Sequence, residues 1–127
     1  MRVPVYIFAG GHSRRFGSDK ARAEFAGVPQ VVHLSRLAAQ VASSVTVVAS
    51  TEGVYQDLGL RTIADIQPRL GPIGGLLTAI DDAGADWLLV MACDWVGLEA
   101  DWLSNLIDKI PEATDIICCE TRRWTDV

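Results

Sequence analysis

Cysteine is scarce in this chain. Cys93, Cys118 and Cys119 are the only three among 127 residues, an odd number with neither CxxC nor paired-histidine spacing. That argues against a disulfide framework and gives no zinc site, and free cysteine is expected as small apolar filler in strands. Positive charge is also in short supply: eleven Lys and Arg stand against sixteen Asp and Glu, a formal net charge of −5. Nucleic acid is a poor partner for such a domain, because binding it needs Lys and Arg to displace phosphate counterions. No apolar run reaches the roughly 18 residues of a membrane span. The stretch from Val3 to Ala9 is short and runs into Gly10-Gly11-His12-Ser13-Arg14-Arg15 without a small-residue cleavage pattern, so no signal peptide is expected. A cytoplasmic protein that engages no membrane is the expectation.

What is present reads as one globular domain over residues 1–127. Half the residues are apolar and 21% are charged, which argues against disorder, collagen and coiled coil. A chain of this length can bury roughly two thirds of its unfolded surface and form a core unaided. Short β-branched runs, Val3 to Phe8, Val45 to Ala49, Leu60 to Ala64, Trp87 to Ala92 and Thr114 to Cys119, have the length of strands buried on both faces. Helical spacing separates them, in Val31, Leu34, Leu37, Ala38 and Val41, then Ile73, Leu76, Leu77 and Ile80, then Trp102, Leu103, Leu106, Ile107 and Ile110. This alternation predicts an α/β fold with a parallel, doubly wound sheet, whose ligands bind beyond the carboxyl ends of the strands.

The loop at the first such end is unusual. Between Arg14 and Arg22 lie Arg14, Arg15, Lys20 and Arg22 against only Asp19, and the chain has one other lysine, Lys109. Gly10, Gly11 and Gly17 allow positive φ and close approach of backbone N–H groups to a ligand, and the cations supply charge for phosphate. An ordinary βα turn with solvated arginines is the plain alternative. A Walker A loop is a poor fit because Asp19 precedes Lys20, and the GxGxxG fingerprint is absent. His12 reads as exposed or as a minor phosphate contact, and His33 as a surface residue. Asp81 and Asp82 are adjacent, so they diverge on a helix and read as solvated. Trp87, Trp102 and Trp124 could stack a base, but the first two fall in core-forming periods.

The run Ala9-Gly10-Gly11-His12-Ser13-Arg14-Arg15-Phe16-Gly17-Ser18-Asp19-Lys20-Ala21 closely resembles the signature loop of the molybdenum cofactor guanylyltransferases, within the Rossmann-like nucleotidyltransferase superfamily. Phe8 replaces the family's leading Leu. Leu70-Gly71-Pro72-Ile73-Gly74-Gly75-Leu76, following Asp65, is similar to the family's Gly-Pro-x-x-Gly-Leu segment. Asp94, after Leu88 to Cys93, matches the family's metal aspartate, with Val96 where a proline is usual.

The resemblance implies a three-layer nucleotidyltransferase fold and transfer of GMP from GTP to molybdopterin with release of pyrophosphate. It further implies Arg15, Lys20 and Asp94 as catalytic residues, with Asp94 holding magnesium (Mg2+). Phe8, Ala9, Gly10, Gly11, Lys20, Asp65, Gly71, Gly75 and Asp94 are implied to bind the nucleotide. Members of that family continue well past the point where this chain ends, and their final portion carries a further strand, closing helices and the pterin-acceptor residues. The C-terminal part is therefore expected to be missing, and a homodimer is one expected cover for surface left open. Cytidylyl or sugar-phosphate transfer and a non-catalytic nucleotide-binding remnant stand beside guanylyl transfer as alternatives.

Overall fold

The computed structural model describes residues 2–9, 20–93 and 97–112. Among these residues the frame is a four-stranded parallel sheet in the order β5-β4-β1-β6, built from β1 (Val3–Phe8), β4 (Ala42–Ala49), β5 (Thr62–Ala64) and β6 (Leu89–Ala92). A small antiparallel ribbon, β2 (Glu24–Phe25) and β3 (Val28–Pro29), stands apart from it. Among the described residues, three α-helices accompany the sheet: α1 (Gln30–Ala39), α2 (Pro72–Ala83) and α3 (Ala100–Ile107).

Strand periodicity divides the core in two. Val5, Ile7, Val47 and Met91 point to one face and pack with Val31, Leu34 and Ala38 of α1, and Val3 on that face meets Ile107 of α3 and half-buried Trp87. Tyr6 and Val48 point to the other face, against Ala79 of α2. Helices on both faces of a parallel sheet make the three layers. Apolar runs without alternation are what such strands require, because both faces are covered.

The strand limits differ from the sequence expectation for local reasons. Pro4 has no N–H to donate, and the β1–β4 register shifts between Val3 and Pro4, so that Val3 faces Ala42 while Pro4 faces Ser44. β4 consequently begins at Ala42, through two exposed serines that carry no apolar signal. The segment Thr114 to Cys119 lies outside the described residues.

The stripe Ile73, Leu76, Leu77 and Ile80 has the spacing of a core-facing surface, yet these residues are 41–62% exposed. Gly74, Gly75, Thr78 and Ala79 are buried instead. Both sets obey the same helical period; close approach of α2 to the sheet selects the small one. Ile80→Lys is therefore expected to change stability by less than about 0.5 kcal/mol. Ala79→Leu should cost about 1–3 kcal/mol by overpacking. Urea unfolding of both variants reads the contrast, and a larger loss in Ile80→Lys would contradict this orientation.

A polar cluster ties the α2 face together. The Tyr6 hydroxyl donates to Asp82 Oδ2 at 2.7 Å. Arg61 Nη1 and Nη2 donate to Asp82 Oδ2 and Oδ1, each at 2.7 Å, and Nη1 also donates to Thr46 Oγ1 at 2.8 Å. β1, β4, the start of β5 and the end of α2 are thus joined. Asp81 is exposed as expected; Asp82 is not merely solvated, because it folds back onto a cation and a phenol.

Candidate active site

Because the strands are in near-level register, their carboxyl ends form one edge. Phe8 faces Val48 on one side and Ala92 on the other, and Ala49 faces Ala64. The ladder continues a residue further, with Ala9 N donating to Val48 O at 2.9 Å, Asp65 N to Ala49 O at 2.8 Å and Cys93 N to Phe8 O at 3.2 Å. The chain runs outward from β1 to β4 to β5, then returns across the opposite face through α2 to place β6 beyond β1. Strand order therefore reverses at β1, and in open α/β sheets ligands bind beyond the carboxyl ends at such a reversal.

Asp65 leaves β5 at this edge and turns at once. Its Oδ1 accepts a hydrogen bond from Gln67 N at 2.7 Å, an Asx-type turn that orients the carboxylate. A short 3₁₀ turn, Pro68–Leu70, leads to Gly71, whose φ of 61° and ψ of −138° belong to glycine's territory. Pro72 then opens α2, where its missing N–H costs nothing. The first turn of α2 lies directly on the turn formed by Asp65 and Gln67: a Cβ built on Gly74 would sit 2.0 Å from Gln67 O and 2.8 Å from Asp65 Oδ1. A Cβ on Gly75 would sit 3.2 Å from Phe8 Cε2. Phe8, Asp65, Gly74 and Gly75 form one packed unit.

The structure thus brings Phe8, Ala9, Asp65, Gly71 and Gly75 to one edge. Lys20 opens the 3₁₀ turn Lys20–Arg22. Gly10, Gly11, Arg15 and Asp94 lie outside the described residues, as does the side chain of Lys20. Among the described residues, no three His, Cys, Asp or Glu side chains gather into a metal centre.

One member of the basic cluster is otherwise engaged. Arg22 donates from Nη1 to Asp57 Oδ2 and from Nη2 to Asp57 Oδ1, both at 2.9 Å, and from Nη2 to Val54 O at 2.6 Å. Its guanidinium lies 5.1 Å from the centroid of the Tyr55 ring. These bonds hold the Asp57 carboxyl below its usual range. Arg22 pins the Val54–Asp57 segment and does not present a loose cation to a ligand, which corrects its inclusion among the phosphate-binding charges.

Gly74, quoted within the matched segment but given no role there, is the glycine most closely approached by the Asp65–Gln67 turn. A Gly-Gly pair inside a helix costs about 1 kcal/mol per glycine relative to alanine, which is itself a sign that something approaches closely.

A three-layer parallel α/β sheet, with the glycine-rich Gly71–Gly75 connection at the carboxyl edge where its strand order reverses, is an architecture common among nucleotide-binding domains. Residues 5–125 match the MobA-like NTP transferase domain, and the chain belongs to that family. It is 37% identical over 99 residues to a probable molybdenum cofactor guanylyltransferase of Synechococcus elongatus, covering 74% of this chain and 51% of that protein. Against the molybdenum cofactor guanylyltransferase of Shewanella woodyi the identity is 34% over 113 residues, covering 87% and 58% respectively. The chain spans little more than half the length of these relatives. Among solved structures, a CMP:2-keto-3-deoxy-manno-octonic acid synthetase in complex with CTP shares the fold. Its TM-score is 0.74 at 18% identity, over 88% of this chain and 48% of that one. No helix among the described residues is long and apolar enough to cross a membrane.

Proposed function

We propose that this chain is the nucleotide-binding part of a cytoplasmic guanylyltransferase that transfers GMP from GTP to the terminal phosphate of molybdopterin. The observation that carries this is the convergence of Phe8-Ala9 and the Asp65–Gly75 connection on the strand-order reversal at β1, in a chain whose relatives include proteins named molybdenum cofactor guanylyltransferase. The acceptor phosphate is largely ionised near neutral pH. One of its oxygens forms a bond to the α-phosphorus of GTP as the bond between that phosphorus and the bridging oxygen breaks, and the electron pair leaves with pyrophosphate. No side-chain nucleophile is required, so catalysis consists of positioning and charge stabilisation. Arg15 and Lys20 stabilise the triphosphate charge, while the backbone from Phe8 to Gly11, with Asp65, Gly71 and Gly75, holds guanine and ribose. The carboxylate of Asp94 is a hard oxygen donor of the kind Mg2+ takes beside substrate phosphate oxygens, and it would hold the ion. When bound, Mg2+ offsets negative charge on those oxygens.

Calorimetric titration of GTP, CTP and ATP with Mg2+ tests this assignment. Preferential GTP binding is expected, weakened about tenfold in each of Lys20→Ala and Asp94→Ala. Preference for CTP would transfer the assignment to cytidylyl transfer, and absence of all nucleotide binding would overturn it.

A further inference from the structure

We propose that Thr78 is a positioning residue for the nucleotide site: its hydroxyl ties the Asp65–Gln67 turn to α2 and thereby sets how firmly Asp65 holds the nucleotide. This rests on the nucleotide-binding role assigned to Asp65 above.

Thr78 lies two turns into α2 and is only 4% exposed. Its Oγ1 donates to Gly74 O at 2.9 Å and accepts from Ile66 N at 2.9 Å. A hydroxyl carries one proton, so the direction is fixed: the Ile66 N–H points to the hydroxyl, and the hydroxyl points to the Gly74 carbonyl. Each bond polarises the other. The flanking amides are held elsewhere, Asp65 N by β4 and Gln67 N by the Asp65 carboxylate itself. Three consecutive amides are thus anchored to a strand, a helix and a carboxylate.

Gly74 packs against the Gln67 and Asp65 side of the turn, but Ile66 itself adds little packing, being 58% exposed. The Thr78 hydroxyl is therefore the polar tie that registers this turn on α2. Asp65 Oδ1 accepts from Gln67 N, and on the role assigned above Oδ2 would take the ligand hydroxyl or N–H. A shift of Ile66 on α2 would move that oxygen, since the two residues are consecutive.

The test uses the full chain and GTP with Mg2+, titrated calorimetrically at a temperature where every variant is folded. Thr78→Val, which keeps the shape and removes the hydroxyl, is expected to weaken GTP binding about tenfold, and Thr78→Ser to stay within about threefold of wild type. In an Asp65→Ala background, Thr78→Val should add less than about twofold, because no carboxylate remains to be positioned. Full additivity in that background, or wild-type affinity in Thr78→Val, would assign Thr78 a purely structural role and overturn the inference alone. Failure of wild type to bind any nucleotide would overturn the site assignment and this inference with it. Hydrogen exchange gives a readout that needs no variant: the Ile66 amide should be protected like those of α2, and exchange at the rate of an open loop would refute the bond itself.

Discussion

Gly74→Ala is expected to cost about 2–4 kcal/mol of stability, the largest loss among the glycines of the Gly71–Gly75 segment. The added methyl would meet Gln67 O at 2.0 Å and the Gln67 carbonyl carbon at 2.8 Å, both backbone atoms, so α2 or the Asp65–Gln67 turn must move bodily. Alanine's better helix propensity returns about 1 kcal/mol, too little to reverse the sign. Gly71→Ala meets no atom within 4 Å but forces a side chain into φ 61° and ψ −138°, at about 1–3 kcal/mol. The atoms nearest a Gly75→Ala methyl belong to the Phe8 ring, at 3.2–3.5 Å; a ring can tilt by a few tenths of an ångström, so a loss under about 1 kcal/mol is expected. Urea midpoints should rank the three variants in that order. A Gly74→Ala protein as stable as wild type would show that the helix and turn are not in contact as described.

The second large effect belongs to the cluster on the opposite end of α2. Arg61, through its hydrogen bonds, is the main cause that lowers the Asp82 carboxyl from 3.8 to about 2. Burial first, and the bond to Asp82 second, raise the Tyr6 phenol from 10.0 to about 12. Asp82 therefore stabilises the fold above pH 4, and its contribution fades as pH falls from about 4 towards 2, where the folded carboxylate is protonated. For Tyr6 the neutral phenol is the favoured form. Its contribution is intact below pH 10 and fades as pH rises from about 10 through 12. Because Arg61 is more than half exposed, screening reduces the acid-side effect to about 1–2 kcal/mol. Asp82→Ala should cost about 2–3 kcal/mol at neutral pH, since it strips partners from both Tyr6 and Arg61. The gap between wild type and Asp82→Ala, followed by urea unfolding, should narrow below pH 4. A gap unchanged between pH 6 and 2.5 would mean that the carboxylate is not held by Arg61.

Much of the frame was legible because buried parallel strands carry unbroken β-branched runs: Val3 to Phe8 becomes a strand with those very limits. Elsewhere the apolar signal misplaced an end, as at Ala42-Ser43-Ser44, where pairing extends into small and polar residues. The ribbon of β2 and β3 left no such trace. Its turn uses Ala26 at φ 55° and Gly27 at φ 79°, a pair of positive φ values that usually announces itself as Asn-Gly. At the carboxyl edge, motif matching singled out Phe8, Asp65, Gly71 and Gly75, which the fold brings close together. It passed over Gly74 and Thr78, whose importance lies in what approaches them from Gln67 and Ile66, and proximity of that kind has no period. Arg22 misled in the opposite way: in sequence it closes a stretch with Arg14, Arg15 and Lys20, while its neighbours in space are Asp57 and Tyr55.

The level ends of the strands carry a kinetic consequence. Val5 pairs with Val45 on one side and with Leu89 on the other, so the edge on which Phe8, Asp65 and Gly75 meet is assembled from pairings distant in sequence. Loop closure must be completed before any of them is rewarded. A nucleotide gripped at that edge would find no partial version of its site on a half-made sheet. It would leave the folding rate almost unchanged and act on the reverse step, slowing the departure of a sheet already complete.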